Sequence, residues 1–481
     1  MKVYEAITLN KDSGEPMYVQ LYEYLKNLIE NGSFENDEKL PAIRSLSKKL
    51  GVNNVTIVNA YRLLEQKGYV YSKVGSGTFV MGNKTDYKKE ENLSTIDMME
   101  HGYVKINNDE INFSTSTPNP RLFPVKEFKE VLNEVLERDG GFAFGYQESQ
   151  GYYPLRESIK EYLGDKKIDV DTKNIHVISG AQQGIDIISK VLVKFNDTIV
   201  VESPTYTGAL AVFKSRGANI IEVPMLEDGI DTKELEKVLK SVNPKLIYVM
   251  TNFQNPTGIS YSQDKKLQLL YLAQKYGTYI LEDEYLSELN FYREADMPIK
   301  SLDGSDRIIY IKSFSKIFMP GIRLGFLVAP ESISSAVLSA KHTTDISTSS
   351  LMQRAFDLYL RRRKWEQHMN MMRSIYKTRY DRFIKELKEK APFIQIVAPG
   401  GGIHIWCKTD VDSSMLASAA RQRGVLIAPG RLFYLDERQS NYFRISYAGI
   451  EDDEISKGLD ILKSVYMDLK NMNSDSILPF L

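Results

Sequence analysis

The chain has 481 residues, 42% of them apolar and 26% charged, with a formal net charge of −1. It is too long for a single ordinary core, so two or more globular domains are expected, and no apolar run is long enough to cross a membrane. One cysteine, Cys407, excludes an intramolecular disulfide framework, five scattered histidines argue against a metal site, and the opening MKVYEAITLNKDSGEP lacks a secretory signal's features, so a reducing cytoplasmic setting is expected.

Residues 16–80 read as one small module. PMYVQLYEYLKNLIENG carries apolar residues at helical spacing (Val19, Leu21, Tyr22, Leu25, Leu28, Ile29) and stops at Gly32. AIRSLSKKLG predicts a short second helix ending at Gly51. Asn53 or Asn54 can cap a third, VTIVNAYRLLEQKG, which stops at Gly68. YVYSKVGSGTFV alternates around a Gly-Ser-Gly turn and predicts a hairpin. Three helices and a hairpin wing make a winged helix-turn-helix, assigned to residues 1–80. Positive charge gathers here: Glu38 to Val80 holds seven Lys/Arg against two Asp/Glu, whereas Met1 to Asp37 holds three against seven. MGNKTDYKKEENLSTIDMMEHG, from residue 81, is polar, rich in lysine and glutamate and poor in large core residues. It reads as a linker, 81–110, that lets the flanking domains change their relative placement.

From about residue 111 strands alternate with helices. NIHVISG, DTIVVESP, NIIEVPM, KLIYVMTNF, TYILEDEY, RIIYIKSFS and RLGFLVAP read as strands, with helical segments such as QDKKLQLLYLAQKYG between several of them. That alternation predicts an α/β domain with a largely parallel sheet covered by helices on both faces, its chemistry at the carboxyl ends of the strands. From about Ser335 the chain is helix-rich with short strands, GGIHIWC and YFRISYA, a smaller C-terminal α+β subdomain. Cys407, in the apolar GIHIWC, reads as an ordinary buried residue.

The polar residues that follow those strands carry the chemistry. SGAQQGIDI sets Gly180, Ala181 and Gln182 at a strand-to-helix turn, where free backbone N–H groups suit a phosphate. Ser313 and Ser315 in SFSK add hydroxyls, and Arg323 adds a fork of donors. Asn255 precedes Pro256 in TNFQNPTG. Asp283 and Tyr285 close another strand, and a buried carboxylate there needs a cation such as a protonated pyridine nitrogen. Asn255 and Tyr285 can reach a phenolic ring oxygen, Tyr206 in ESPTYTGAL can stack on the ring, and Lys316 is an amine able to condense with an aldehyde. Together these residues describe a pyridoxal 5'-phosphate (PLP) site. The competing reading is a structural ion-pair network of Lys316, Arg323 and Asp283 in a shell that has lost the cofactor.

SGAQQG, SPTYTG, NPTG, EDEY, SFSKxxxPGxRxG and the arginine of YFRIS stand in the order seen in fold-type-I aminotransferases, which residues 111–475 resemble. The resemblance implies that Lys316 is the Schiff-base lysine and Asp283 the partner of the ring nitrogen. It implies that Ala181, Gln182, Ser313 and Arg323 serve the phosphate side, Asn255 and Tyr285 the ring oxygen, and Arg444 a substrate α-carboxylate. Tyr146, in GYQESQGYY, matches a tyrosine that reaches the neighbouring subunit's phosphate, so a homodimer is implied as well.

PxYxQ near Pro16, LPxxRxLxxxLGV, TIVNAYRLLEQKGYV and the GSGTFV wing resemble the winged helix of GntR-type regulators; joined to an aminotransferase-like body, the whole resembles the MocR/GabR subfamily. The resemblance implies a third helix in the major groove, with Asn53, Asn54 and Thr56 at its start, while Arg44, Lys48, Lys49 and Lys73 suit phosphates. Relatives commonly carry Ser-Arg where this chain has Asn53-Asn54; an asparagine that reads a base favours adenine over guanine. Two functions stay open. One is a transcription regulator that binds operator DNA and senses PLP, or an amine or amino acid, by exchange at Lys316. The other is a working PLP-dependent aminotransferase acting on an α-amino acid. Gly208 stands where γ-aminobutyrate-responsive relatives carry an arginine, which argues against that effector.

Overall fold

A computed structural model describes residues 9, 16–30, 33–34, 38–66, 69–73, 77–80, 110–292, 297–397 and 401–475. The linker expected at 81–110 lies outside them except for Glu110. The chain divides into two compact units, Met1–Asn92 and Leu93–Leu481. No helix among the described residues is long and apolar enough to cross a membrane.

In the smaller unit the apolar stripes become helices Met17–Glu30 (α1), Ile43–Leu50 (α2) and Asn54–Gln66 (α3). Leu21, Leu25, Leu46, Ile57, Ala60 and Leu64 meet in one core with Val70 and Val80, which is why the i, i+3/i+4 spacing folds as it does. Gly51 closes α2 in the left-handed conformation, φ +64°, returning its N–H to Ser47. Asn53 caps α3 by accepting the Val55 N–H at 3.0 Å. Strands Val70–Lys73 (β1) and Gly77–Val80 (β2) pair antiparallel as the wing; the tip residues 74–76 are outside the described set.

The larger unit opens with Ile111–Asn112 (β3). Its main sheet is built from Ile175–Ile178 (β4), Thr198–Ser203 (β5), Asn219–Leu226 (β6), Gly229–Ile230 (β7), Leu246–Val249 (β8), Tyr279–Glu284 (β9), Ile308–Ser313 (β10) and Gly325–Val328 (β11). The spatial order is β4-β11-β10-β9-β8-β5-β6-β7. Strands β10, β9, β8, β5 and β6 run parallel, β11 is antiparallel to both neighbours, and β7 folds back on β6. All seven strand-like runs of the sequence take part. Burial on both faces explains the near-continuous apolar character of β4, β8, β10 and β11, whereas β6 is mostly half-buried or exposed. Alternate residues serve opposite cores: Val201, Tyr248, Leu281 and Ile311 on one face, Val200, Ile247, Ile280 and Ile308 on the other.

The C-terminal subdomain carries an antiparallel sheet of Gln395–Ile396 (β12), His404–Lys408 (β13), Ala428–Pro429 (β15) and Tyr442–Ser446 (β16), in the order β12-β13-β16-β15. The long helices Lys364–Lys390 and Asp452–Asp475 belong to the same part of the chain. Val425–Leu426 (β14) pairs parallel with β3, so the first strand of this unit is tied to its last third. Cys407 is buried in β13, and burial pushes its thiol well above the usual range.

Candidate functional site

The parallel strands bring their C-terminal ends to one edge, and beside it lies a cavity of about 340 Å³. Ala181, Gln182, Tyr206, Asn255, Asp283, Tyr285, Ser313, Lys316, Arg323 and Arg444 all line it. Tyr146 does not: it is 85% exposed, beyond the short helical turn Gly140–Phe144.

Strand alternation sorts the acidic run of β9. Asp283 faces the cavity and is 3% exposed; its Oδ2 accepts the Tyr248 hydroxyl at 2.7 Å, while Oδ1 is buried without a partner. Burial raises its carboxyl to about 6, against the opposing Tyr248 hydrogen bond. Its neighbours are spent elsewhere. Glu282 accepts from Thr251 and from the backbone N–H groups of Ile299 and Lys300, and Glu284 from Asn252, Leu286 and Ser287.

Lys316 follows β10 and makes no hydrogen bond or ion pair among the described residues. Burial, with Arg444 and Arg323 nearby, lowers its ammonium to about 8, which makes it a better nucleophile at neutral pH than an exposed lysine. At the far wall helix Ala181–Leu192 starts after Gly180, whose φ is +98°. A Cβ there would stand 2.9 Å from the Arg323 guanidinium, so only glycine lets the arginine lie against the helix start. Arg323 donates to the Ser179 carbonyl, and Ser313, the last residue of β10, lines the same cavity. Helix N-terminus, guanidinium and hydroxyl together make an anion cradle.

Arg444, on β16, is 5% exposed and donates to Asn255 Oδ1 at 2.7 Å and to the Ser114 carbonyl at 2.6 Å, leaving Nε unpartnered. Its guanidinium lies over the Phe433 ring, 5.1 Å from the centroid, and burial lowers it to about 10. Tyr285 donates to the Phe253 carbonyl at 2.8 Å. Tyr206 and Gln182 lie together, and Gly208 has no room for a side chain beside them: a Cβ would meet Tyr206 and Gln182 atoms at 2.5 Å. An arginine at 208 is therefore incompatible with Tyr206 where it stands.

The sequence reading missed the wall formed by Ser114, Thr115, Ser116 and Thr117, together with Thr207, Met250, Leu426, Ile427 and Phe433. No local periodicity marks the Ser-Thr run. It reaches the cavity because β3 is anchored on β14, a pairing about 300 residues apart in the chain.

On the smaller unit Arg44, Lys48 and Lys49 are exposed along α2, Asn53 and Asn54 are exposed at the start of α3, and Thr56 is half-buried two residues further in. Asn54 Oδ1 accepts the Ser47 hydroxyl at 2.5 Å, which orients its amide. Val55, which the sequence reading passed over, is 59% exposed between them. Lys73 ends β1; its side chain lies outside the described set.

This sheet, subdomain and cavity define a fold-type-I aminotransferase body, preceded by a GntR-type winged helix. Residues 108–462 match the family described as Aminotransferase class I and II, and residues 17–80 match Bacterial regulatory proteins, gntR family; the chain belongs to the class I and II aminotransferase family. Its two-part architecture is that of MocR/GabR-type regulators. It is 27% identical over 481 residues to the "Probable rhizopine catabolism regulatory protein MocR" of Rhizobium meliloti, covering 97% of each chain. It is 30% identical over 360 residues to "Aromatic-amino-acid aminotransferase 1" of Thermococcus litoralis, covering 73% of this chain and 86% of that one. Among solved structures, LysN, the alpha-aminoadipate aminotransferase of Thermus thermophilus complexed with N-(5'-phosphopyridoxyl)-L-leucine, superposes with a TM-score of 0.73 at 28% identity. That superposition covers 79% of this chain and 96% of that one.

Proposed function

We propose that the protein is a PLP-dependent transcription regulator: the winged helix binds operator DNA, and the larger unit senses PLP or an amine or amino acid at Lys316. The convergence of Lys316, Asp283, Arg323 and Arg444 on one cavity, in a chain that also carries a GntR-type winged helix, supports this reading.

The residues present fit the cofactor. Asp283 has an unpaired buried oxygen for a protonated ring nitrogen, and the start of helix Ala181–Leu192 with Arg323 and Ser313 suits a phosphate. Tyr206 offers a ring face, and Asn255 and Tyr285, which line the same cavity, carry donor groups suited to a phenolic oxygen. When bound, PLP supplies an electrophilic aldehyde and an electron-withdrawing ring. Lys316 provides the amine that holds it and, once displaced by an incoming amine, a base in the same pocket. Arg444, whose Nε has no partner among the described residues, has a donor for a carboxylate. The cavity can change operator affinity only to the extent that a ligand binds one conformation of the larger unit better than another. Tyr146, exposed in one chain, would reach the cavity of a second, so the working unit is a homodimer, which also suits paired operator half-sites. Asn53, Asn54 and Thr56 meet base edges, while Arg44, Lys48, Lys49 and Lys73 meet phosphates.

Retention of every chemical group at the cavity also favours a second reading, a working aminotransferase on an α-amino acid. Incubating the PLP-loaded protein with amino acids and 2-oxoglutarate separates the two. A stoichiometric spectral change that alters operator binding supports the regulator; many turnovers without any effect on DNA overturn it.

A further inference from the structure

We propose that the Ser116 hydroxyl is a second donor to the effector's carboxylate, acting beside Arg444, and that it tunes the protein towards amines that carry an α-carboxylate. The inference rests on the reading above that an amine enters this cavity.

The hydroxyls of the Ser114–Ser116 run can be accounted for one by one. Ser114 donates to Asn112 Oδ1 at 2.7 Å, and Thr115 Oγ1 accepts the Thr117 N–H at 3.2 Å. Ser116 lines the cavity and is 8% exposed, and its Oγ is buried without a partner among the described residues. A buried hydroxyl left unpaired carries a desolvation cost that a ligand atom can relieve.

The backbone holds its segment against the strand that carries Arg444. Asn112 Oδ1 also takes the N–H groups of Ser114 and Thr115, at 2.9 and 3.0 Å. Ser446 donates its N–H to the Phe113 carbonyl at 2.7 Å, and Asn119 donates its own to Ala448 at 3.1 Å. The run is thereby bracketed against β16 and the residues after it. Two residues before Ser116, the Ser114 carbonyl receives Arg444 at 2.6 Å. Ser116 Oγ and Arg444 Nε are thus two buried polar groups without partners, on residues that line the same cavity, each able to donate. A carboxylate, with up to four acceptor positions, can take both. A rigid, already desolvated donor adds affinity without an ordering cost on binding.

The test compares L-alanine with ethylamine, the same molecule without its carboxylate, by titrating the full PLP-loaded protein and following visible absorbance. Ser116→Ala is expected to lower the preference for L-alanine over ethylamine about tenfold, leaving the ethylamine midpoint and cofactor retention unchanged. Ser116→Thr, which keeps a hydroxyl, should retain most of the preference. An unchanged preference in Ser116→Ala overturns the inference, as does an equal loss for both amines, which would mean packing alone. If neither amine alters the wild-type spectrum, the reading of the cavity has failed and this inference falls with it; a responsive wild type with an indifferent variant sinks only the role of Ser116.

Discussion

Replacing Lys316 by methionine, a side chain of similar length without charge, should stabilise the cofactor-free protein at neutral pH. Burial, together with Arg444 and Arg323, brings the lysine ammonium from 10.5 to about 8. Between those values the unfolded chain holds a proton that the folded chain has released, so stability rises with pH across that window. Below about pH 8 the cost of the buried charge is fully present, and above about pH 10.5 it is gone. At about 1.4 kcal/mol for each tenfold difference in proton affinity, the cost is at most about 3.5 kcal/mol, and because the residue is only half-buried, water in the cavity reduces it. Urea unfolding of the cofactor-free full chain, at about pH 7 and about pH 10, measures it on the transition of the larger unit. The expected result is a more stable variant at the lower pH, with the gap shrinking at the higher. A variant no more stable than wild type at either pH would show that Lys316 is not held as a strained amine, and the account of its reactivity would be wrong.

Further outcomes concern both units. PLP affinity should fall as pH drops through about 6, where the buried Asp283 carboxyl takes a proton and loses its attraction for a protonated ring nitrogen; Asp283→Asn should weaken binding at least tenfold and remove that pH step, read by equilibrium dialysis. Gly180→Ala should displace Arg323 and strain a backbone at φ +98°; cofactor retention after desalting should drop sharply, and full retention would contradict the cradle. Asn53→Ala should cost about 1 kcal/mol of winged-helix stability by removing the cap of α3, measured by thermal melting of the smaller unit's transition. Asn54→Ala should instead change the ranking of operator variants at A·T positions; an unchanged ranking in a binding-competent protein would remove it from base reading.

Much of this was legible in the chain because the signals were local. Most apolar runs of the main sheet are buried on both faces, β6 excepted, and the ordered motifs named the residues that gather at the strand ends. What stayed hidden depends on long-range placement. Strand β7 has two residues, too few to show a period. Lys312 is fully buried in β10 and is neutralised by Glu288 at 2.6 Å, a pairing invisible from either local stretch. The Ser-Thr wall needs β3 to find β14, and the Ser47–Asn54 hydrogen bond crosses the turn between two helices. Tyr146 was named by resemblance alone, and it stands exposed, away from the cavity of its own chain.

The central claim is that occupancy at Lys316 controls DNA binding. The most direct measurement titrates an amino acid into the PLP-loaded full chain while recording, in one cuvette, the visible spectrum and the anisotropy of a labelled operator. Both signals should move over the same concentration range, and Lys316→Ala should abolish both. An operator affinity that stays constant while the spectrum changes, or that shifts unaltered in Lys316→Ala, would contradict it.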